Sequence, residues 1–141
     1  GGALATLASF DIAVHTGRKV TGYYSGAPRV GGPEFRQAFK TVVPASYRIV
    51  INKDPGPLVP PGWRLDYVHI GHLLQLYPNG VIVPSDKIAP ALTDIVISRH
   101  SKSLYLEALD ELYSRCSGDN NKCPTISSMD DASRAERQAT R

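Results

Sequence analysis

The chain has 141 residues, 42% of them hydrophobic, and carries 16 basic against 13 acidic side chains for a net charge of +3. That length and composition suit one compact domain and exclude a disordered or collagen-like chain, and the dispersed charges form no basic block of the kind that grips nucleic acid. No apolar run approaches the roughly 18 residues a membrane span requires, and no basic-then-apolar leader opens the sequence.

The sequence starts at Gly1 and its single methionine is Met129, so the opening residues are expected to follow a longer precursor or belong to a larger protein. Residues 1–16, GGALATLASFDIAVHT, put small and apolar side chains on most faces, which predicts a helix packed tightly on a sheet through Ala3, Ala5 and Ala8. A short strand follows over Val20 to Tyr24, then a loop with Ser25, Gly26 and Pro28. Pro33 starts a second helix with Phe35, Phe39 and Val42 or Val43 at helical spacing. The β-branched stretch SYRIVIN is the next strand.

Helix, strand, helix and strand joined by short connections predict βαβ units and a mostly parallel sheet with flanking helices, an α/β fold. Beyond Asp54 and its prolines, DYVHIGHLLQLY reads as a strand; Pro78-Asn79-Gly80 is a hairpin turn into a short strand VIVP. From Ser98 or His100 to Cys116 the spacing of Leu104, Leu106, Leu109 and Leu112 is helical. Residues 117–141 are polar and are expected to form a disordered tail behind a domain spanning 1–116. Cys116 and Cys123, with six residues between them, either close a small surface disulfide or remain free thiols; no His cluster near them makes a zinc site.

In open α/β sheets ligands bind beyond the carboxyl ends of the strands, which directs attention to the Ser25–Gly32 loop and to Asp54. Asp54 ends an apolar strand and enters a loop stiffened by Pro55, Pro57, Pro60 and Pro61. It is either a solvated turn residue or a carboxylate held still to orient another side chain. Among the four histidines, His15 near the end of the first helix reads as structural, and His69 and His72 read as packing or surface residues without metal-ligand spacing. His100 follows a strand-like IVIS and opens the last helix, so it can meet Asp54 as a carboxylate-oriented general base. Without a nucleophile this pair is half a site.

Five segments, GGALATLASFDIA, SGAPRVGGPEF, RIVINKDPGPLVPP, YVHIGH and HSKSLYLEAL, occur in the order found in class 3 (fungal-type) lipases. The first resembles the stretch after that family's Gly-His-Ser-Leu-Gly elbow, and the second its Gly-x-Pro-Arg-Val-Gly segment. The third is similar to the strand and proline loop carrying the triad Asp. The fourth and fifth resemble its Tyr-x-His-x-Gly and His-Ser-x-x-x-Tyr stretches. Arg99 stands where the family often has Asp.

The resemblance implies the carboxyl-terminal part of an α/β-hydrolase, with Asp54 as orienting acid and His100 as base of a serine-type ester hydrolase acting on lipid esters. It implies no cofactor and no metal, a lipid or other ester substrate at an interface, and, with the cysteine pair, agrees with secretion. Gly1 would be the last glycine of Gly-x-Ser-x-Gly, which places the serine two positions upstream. The chain alone is then expected to be inactive and to fold poorly, with a sheet edge and helix faces uncovered. Phospholipase A1, galactolipase or feruloyl esterase activity, or a non-catalytic hydrolase-like binding protein, are the alternative readings.

Overall fold

A computed structural model describes residues 1–77, 82–84 and 97–118. Helix α1 (Gly2–Thr16) ends where Gly17 takes a left-handed conformation, φ 64°, and returns its N–H to the Ala13 carbonyl. Strand β1 (Thr21–Ser25) leads through a loop to helix α2 (Pro33–Val42), which begins on a proline whose missing N–H costs nothing there. Pro44 lies beyond the helix end, and strand β2 (Ala45–Ile51) starts at once. A 3-10 turn (Gly56–Leu58) and a single-turn helix α3 (Gly62–Leu65) carry the chain to strand β3 (His72–Leu76). Strand β4 (Ile82–Pro84), a second 3-10 turn (Ile97–Arg99) and helix α4 (Lys102–Gly118) complete the described elements.

The sheet has the order β1-β2-β3-β4; the first two pairings are parallel and the last is antiparallel. The expected α/β fold with a mostly parallel sheet and flanking helices is therefore present. One core lies on the α1 and α2 side, where Ala13, Tyr24, Phe39, Val43 and Ile70 are buried with Phe10 and Phe35 packed against them. The three phenylalanine rings touch, with centroids 5.1 to 6.1 Å apart. The other core places Ile49, Ile51, Leu74 and Leu76 against Tyr105 and Ala108 of α4. Burying one such large apolar side chain contributes about 1.5–3 kcal/mol, so each layer depends on a handful of residues.

Four expectations change. Helix α1 does not use Ala5 and Ala8 for packing, since both are exposed; it buries Thr6 and Ala13, while Leu4 is 71% and Val14 49% exposed. Its described contacts are with β1 and α2 on one flank, so its apolar outer flank is uncovered among the described residues. The strand expected over 66–77 is confined to His72–Leu76, because Asp66 and Gly71 have positive φ and break the extended path; Val68 makes a lone bridge to Gly31 instead. Of the strand-like IVIS, residues 97 and 98 fall in a 3-10 turn over Ile97–Arg99 that leads into α4, and residues 95 and 96 lie outside the described residues. On α4 the buried positions are Tyr105 and Ala108, flanked by Leu104 and Leu109, and Leu106 is half exposed.

Helix α4 runs two residues beyond the expected boundary at 116, and Cys116 is disulfide-bonded. The expected turn at Pro78-Asn79-Gly80, Cys123 and the tail from residue 119 lie outside the described residues. No helix among them is long and apolar enough to cross a membrane.

Candidate active site

Three segments far apart in sequence converge at the carboxyl end of the parallel strands. Strand β1 delivers Ser25 and Gly26, with the Gly26 N–H bonded to the Ile49 carbonyl at 2.9 Å. Beyond β2 the chain turns tightly: Lys53 takes φ 69°, and the Asp54 N–H reaches back to the Ile51 carbonyl at 3.1 Å. That turn sets the Asp54 carboxyl at the sheet rim. The turn over Ile97–Arg99 brings in His100, and α4 begins two residues later.

The two residues singled out from sequence meet. His100 Nδ1 lies 2.9 Å from Asp54 Oδ1 and 3.2 Å from Oδ2. The Asp54 side chain is 0% exposed and that of His100 54%, so the acid is shut from water while the base opens outward. A desolvated carboxylate needs donors, and Asp54 has two more. The Gly56 N–H donates to Oδ1 at 2.7 Å, and the Tyr105 hydroxyl donates to Oδ2. Tyr105 in turn accepts the Ile51 N–H at 3.1 Å. Burial first, and then its bond to Asp54, pushes the Tyr105 phenol well above the ordinary tyrosine range, so it stays a donor.

Tyr105, Gly26 and Gly56 are parts of the site that sequence reasoning did not assign. A Cβ at Gly26, whose φ is 58°, would lie 2.9 Å from Asp54 Oδ2 and 3.0 Å from His100 Cε1. One at Gly56 would lie 2.5 Å from His100 Nδ1. Both positions must stay bare for the imidazole to reach the carboxylate. The signal for Tyr105 was its place five residues after His100, and only the start of α4 turns that spacing into contact.

The proline loop is fixed from the other side by Arg29. Its Nη1 donates to the carbonyls of Leu58 at 2.6 Å and Pro60 at 2.8 Å, and its N–H donates to the Val59 carbonyl at 2.9 Å. The Val59–Pro60 peptide is cis. His100 opens on a cavity of about 560 Å³ whose wall includes the amino end of α1 at Gly1 to Ala3 together with Val59, Leu106 and Leu109. The remaining histidines stand apart. His15 is exposed and paired with Asp11 on α1, and His69 and His72 lie at the amino end of β3. No metal-binding cluster occurs among the described residues.

Residues 1–63 match the family model Lipase (class 3). Over that stretch the chain resembles the class 3 lipases. Three solved structures share the fold. A triacylglycerol lipase, described as having a serine-protease triad at its catalytic centre, superposes with a TM-score of 0.60 at 23% identity, over 70% of this chain and 42% of its own. The lipase of a Rhizomucor miehei propeptide complex gives 0.59 at 23%, over 71% and 36%. Lipase II from Rhizopus niveus gives 0.50 at 30%, over 53% and 29%. The chain thus spans less than half the length of the lipases it matches. No curated protein matches it. The fold is that of the α/β-hydrolases, and the family match runs through Asp54, Gly56 and Arg29.

Proposed function

We propose that this chain supplies the orienting acid, Asp54, and the general base, His100, of a serine-type carboxylic ester hydrolase of the triacylglycerol lipase kind. The observation that carries this reading is the buried Asp54 carboxylate bonded to the exposed His100 ring at the edge of the 560 Å³ cavity. With Nδ1–H given to Asp54, Nε2 of His100 keeps its lone pair for proton transfer.

The nucleophile in this scheme is a serine hydroxyl preceding Gly1. His100 takes the serine proton as the oxygen attacks the acyl carbon, then returns it to the leaving alcohol. Water, activated by the same ring, releases the acid and restores the serine. The amino end of α1 borders the cavity, and its free N–H groups favour the negative charge that develops on the acyl oxygen. Val59, Leu106 and Leu109 give an apolar wall suited to an acyl chain. No cofactor takes part. Residues 1–116 form the hydrolase portion in this reading and 117–141 an appended tail; the 141 residues alone are inactive.

A fluorophosphonate probe tests the scheme. In the full-length protein it should label one serine, located upstream of Gly1 within Gly-x-Ser-x-Gly, and the 141-residue chain should stay unlabelled. Absence of labelling in folded full-length protein would favour a non-catalytic relative, and a label within residues 1–141 would reject the assignment of the nucleophile.

A further inference from the structure

A second cavity, of about 270 Å³, opens at the opposite, amino-terminal end of the sheet. Ser46 near the start of β2, His72 at the start of β3 and His69 in the segment before it line it, and Arg36 and Lys40, one turn apart on α2, stand at its side. No carboxylate is among the lining residues. Part of this has an ordinary cause, since Lys40 in the last turn of α2 complements the helix dipole. Arg48 does not share that cause.

Arg48 lies two residues beyond Ser46 on β2, and therefore on the same face of the strand. It is only 5% exposed, and its Nε and Nη1 are buried with no hydrogen-bond partner among the described residues. Burial, followed by the charge of Arg29, lowers its pKa to about 10. The neighbouring His69 is held neutral, its pKa lowered to about 3 by burial first and then by the charges of Arg48 and Arg29; its Nδ1 is likewise buried and unpartnered. A buried guanidinium with two unpaired nitrogens is costly, and here the positive field accumulates with no acid to offset it among the cavity-lining residues.

We propose that this cavity binds a small oxyanion of the phosphate class, with Arg36 and Lys40 meeting it at the rim and Ser46 and the unpartnered Nδ1 of His69 offered from its wall; Arg48 does not line the cavity and adds positive charge from the same face of β2. The site is separate from ester hydrolysis. Ser46 to Ile51 alone spans roughly 17 Å of strand, and His100 lies beyond the far end. A lipid surface engaged at the His100 end would not reach this cavity, which favours a soluble phosphate compound over a lipid headgroup.

The full-length protein, titrated with inorganic phosphate and followed by calorimetry and by its thermal midpoint, provides the test. Saturable binding and a rise in the midpoint are expected. The double variant Arg36→Gln/Lys40→Gln should weaken binding about 100-fold, roughly tenfold for each charge-assisted hydrogen bond lost. Arg48→Met, which removes a charge that does not line the cavity, should weaken binding by less than the rim pair does; should that variant not fold, the rim pair decides. A second arm uses phosphatidylcholine vesicles with and without phosphatidic acid. Vesicle binding that depends on Arg36 and Lys40, without any response to inorganic phosphate, would overturn the soluble source. No saturable response in either arm, or wild-type affinity in the variants, would overturn the site.

Discussion

The Tyr105 hydroxyl joins two buried groups, donating to Asp54 and accepting from the Ile51 backbone. It also ties the first turn of α4 to the end of β2. Tyr105→Phe removes one donor from the carboxylate and leaves the Ile51 N–H without its partner, a loss of about 1–3 kcal/mol of stability. Asp54 keeps His100 and the Gly56 N–H, so turnover on an ester should fall by about tenfold and not vanish. Urea denaturation beside kcat/KM checks both; unchanged values in the two assays would remove Tyr105 from the site. The sign of its titration is fixed as well. A phenol whose folded pKa is raised contributes stability that is complete below its unfolded value of 10.0 and is lost as the pH climbs above it. Asp54 and His100 were legible in sequence because a charge closing an apolar strand and a histidine opening a helix are local patterns. Gly26 and Gly56 were not, since their smallness matters only where a distant imidazole must fit.

At the scale of elements, the loop after β2 is held by its partner loop after β1. Proline alone restricts the loop's freedom, but Arg29 fixes its position through two carbonyls and the backbone bond to Val59. Arg29→Ala should therefore destabilise the protein by about 2–4 kcal/mol, and Arg29→Lys by less, because an ammonium keeps the charge without the planar fork. Chemical denaturation of both variants measures this, and an alanine variant as stable as wild type would show that the prolines suffice. Helices and strands with clear periodicity, α2 and β2 above all, were readable. The extent of β3 was not, because Asp66 and Gly71 adopt positive φ for reasons of chain path that composition does not display. The faces of α1 were misread for a different reason: a helix apolar on most sides does not say which side finds a neighbour.

For the whole molecule, the sheet begins at β1, which among the described residues has a strand partner on one side only, and the outer flank of α1 shows Leu4, Leu7, Ile12 and Val14. The parallel order and the two-sided cover followed from the alternation of elements. Pairing of each strand, by contrast, depends on contacts between segments that sequence spacing leaves open. Half-buried His69 gives the molecule an acid limit. Its folded pKa of about 3 lies below the unfolded value of 6.5, so its contribution to stability is present above pH 6.5 and is lost as the pH falls toward 3. His69→Gln should flatten that decline in a series of denaturation curves; an unaltered slope would mean that the histidine is open to protons in the folded state.

The site itself is assembled from ends of β1, β2 and α4, and its central claim is that Asp54 and His100 act as one unit. The measurement is kcat for ester hydrolysis by full-length protein carrying Asp54→Asn, His100→Ala and both. Each single change should lower turnover by about 10⁴-fold or more, and the double variant should be no worse than the poorer single one. Turnover near wild type in either single variant, or losses that multiply in the double, would contradict it.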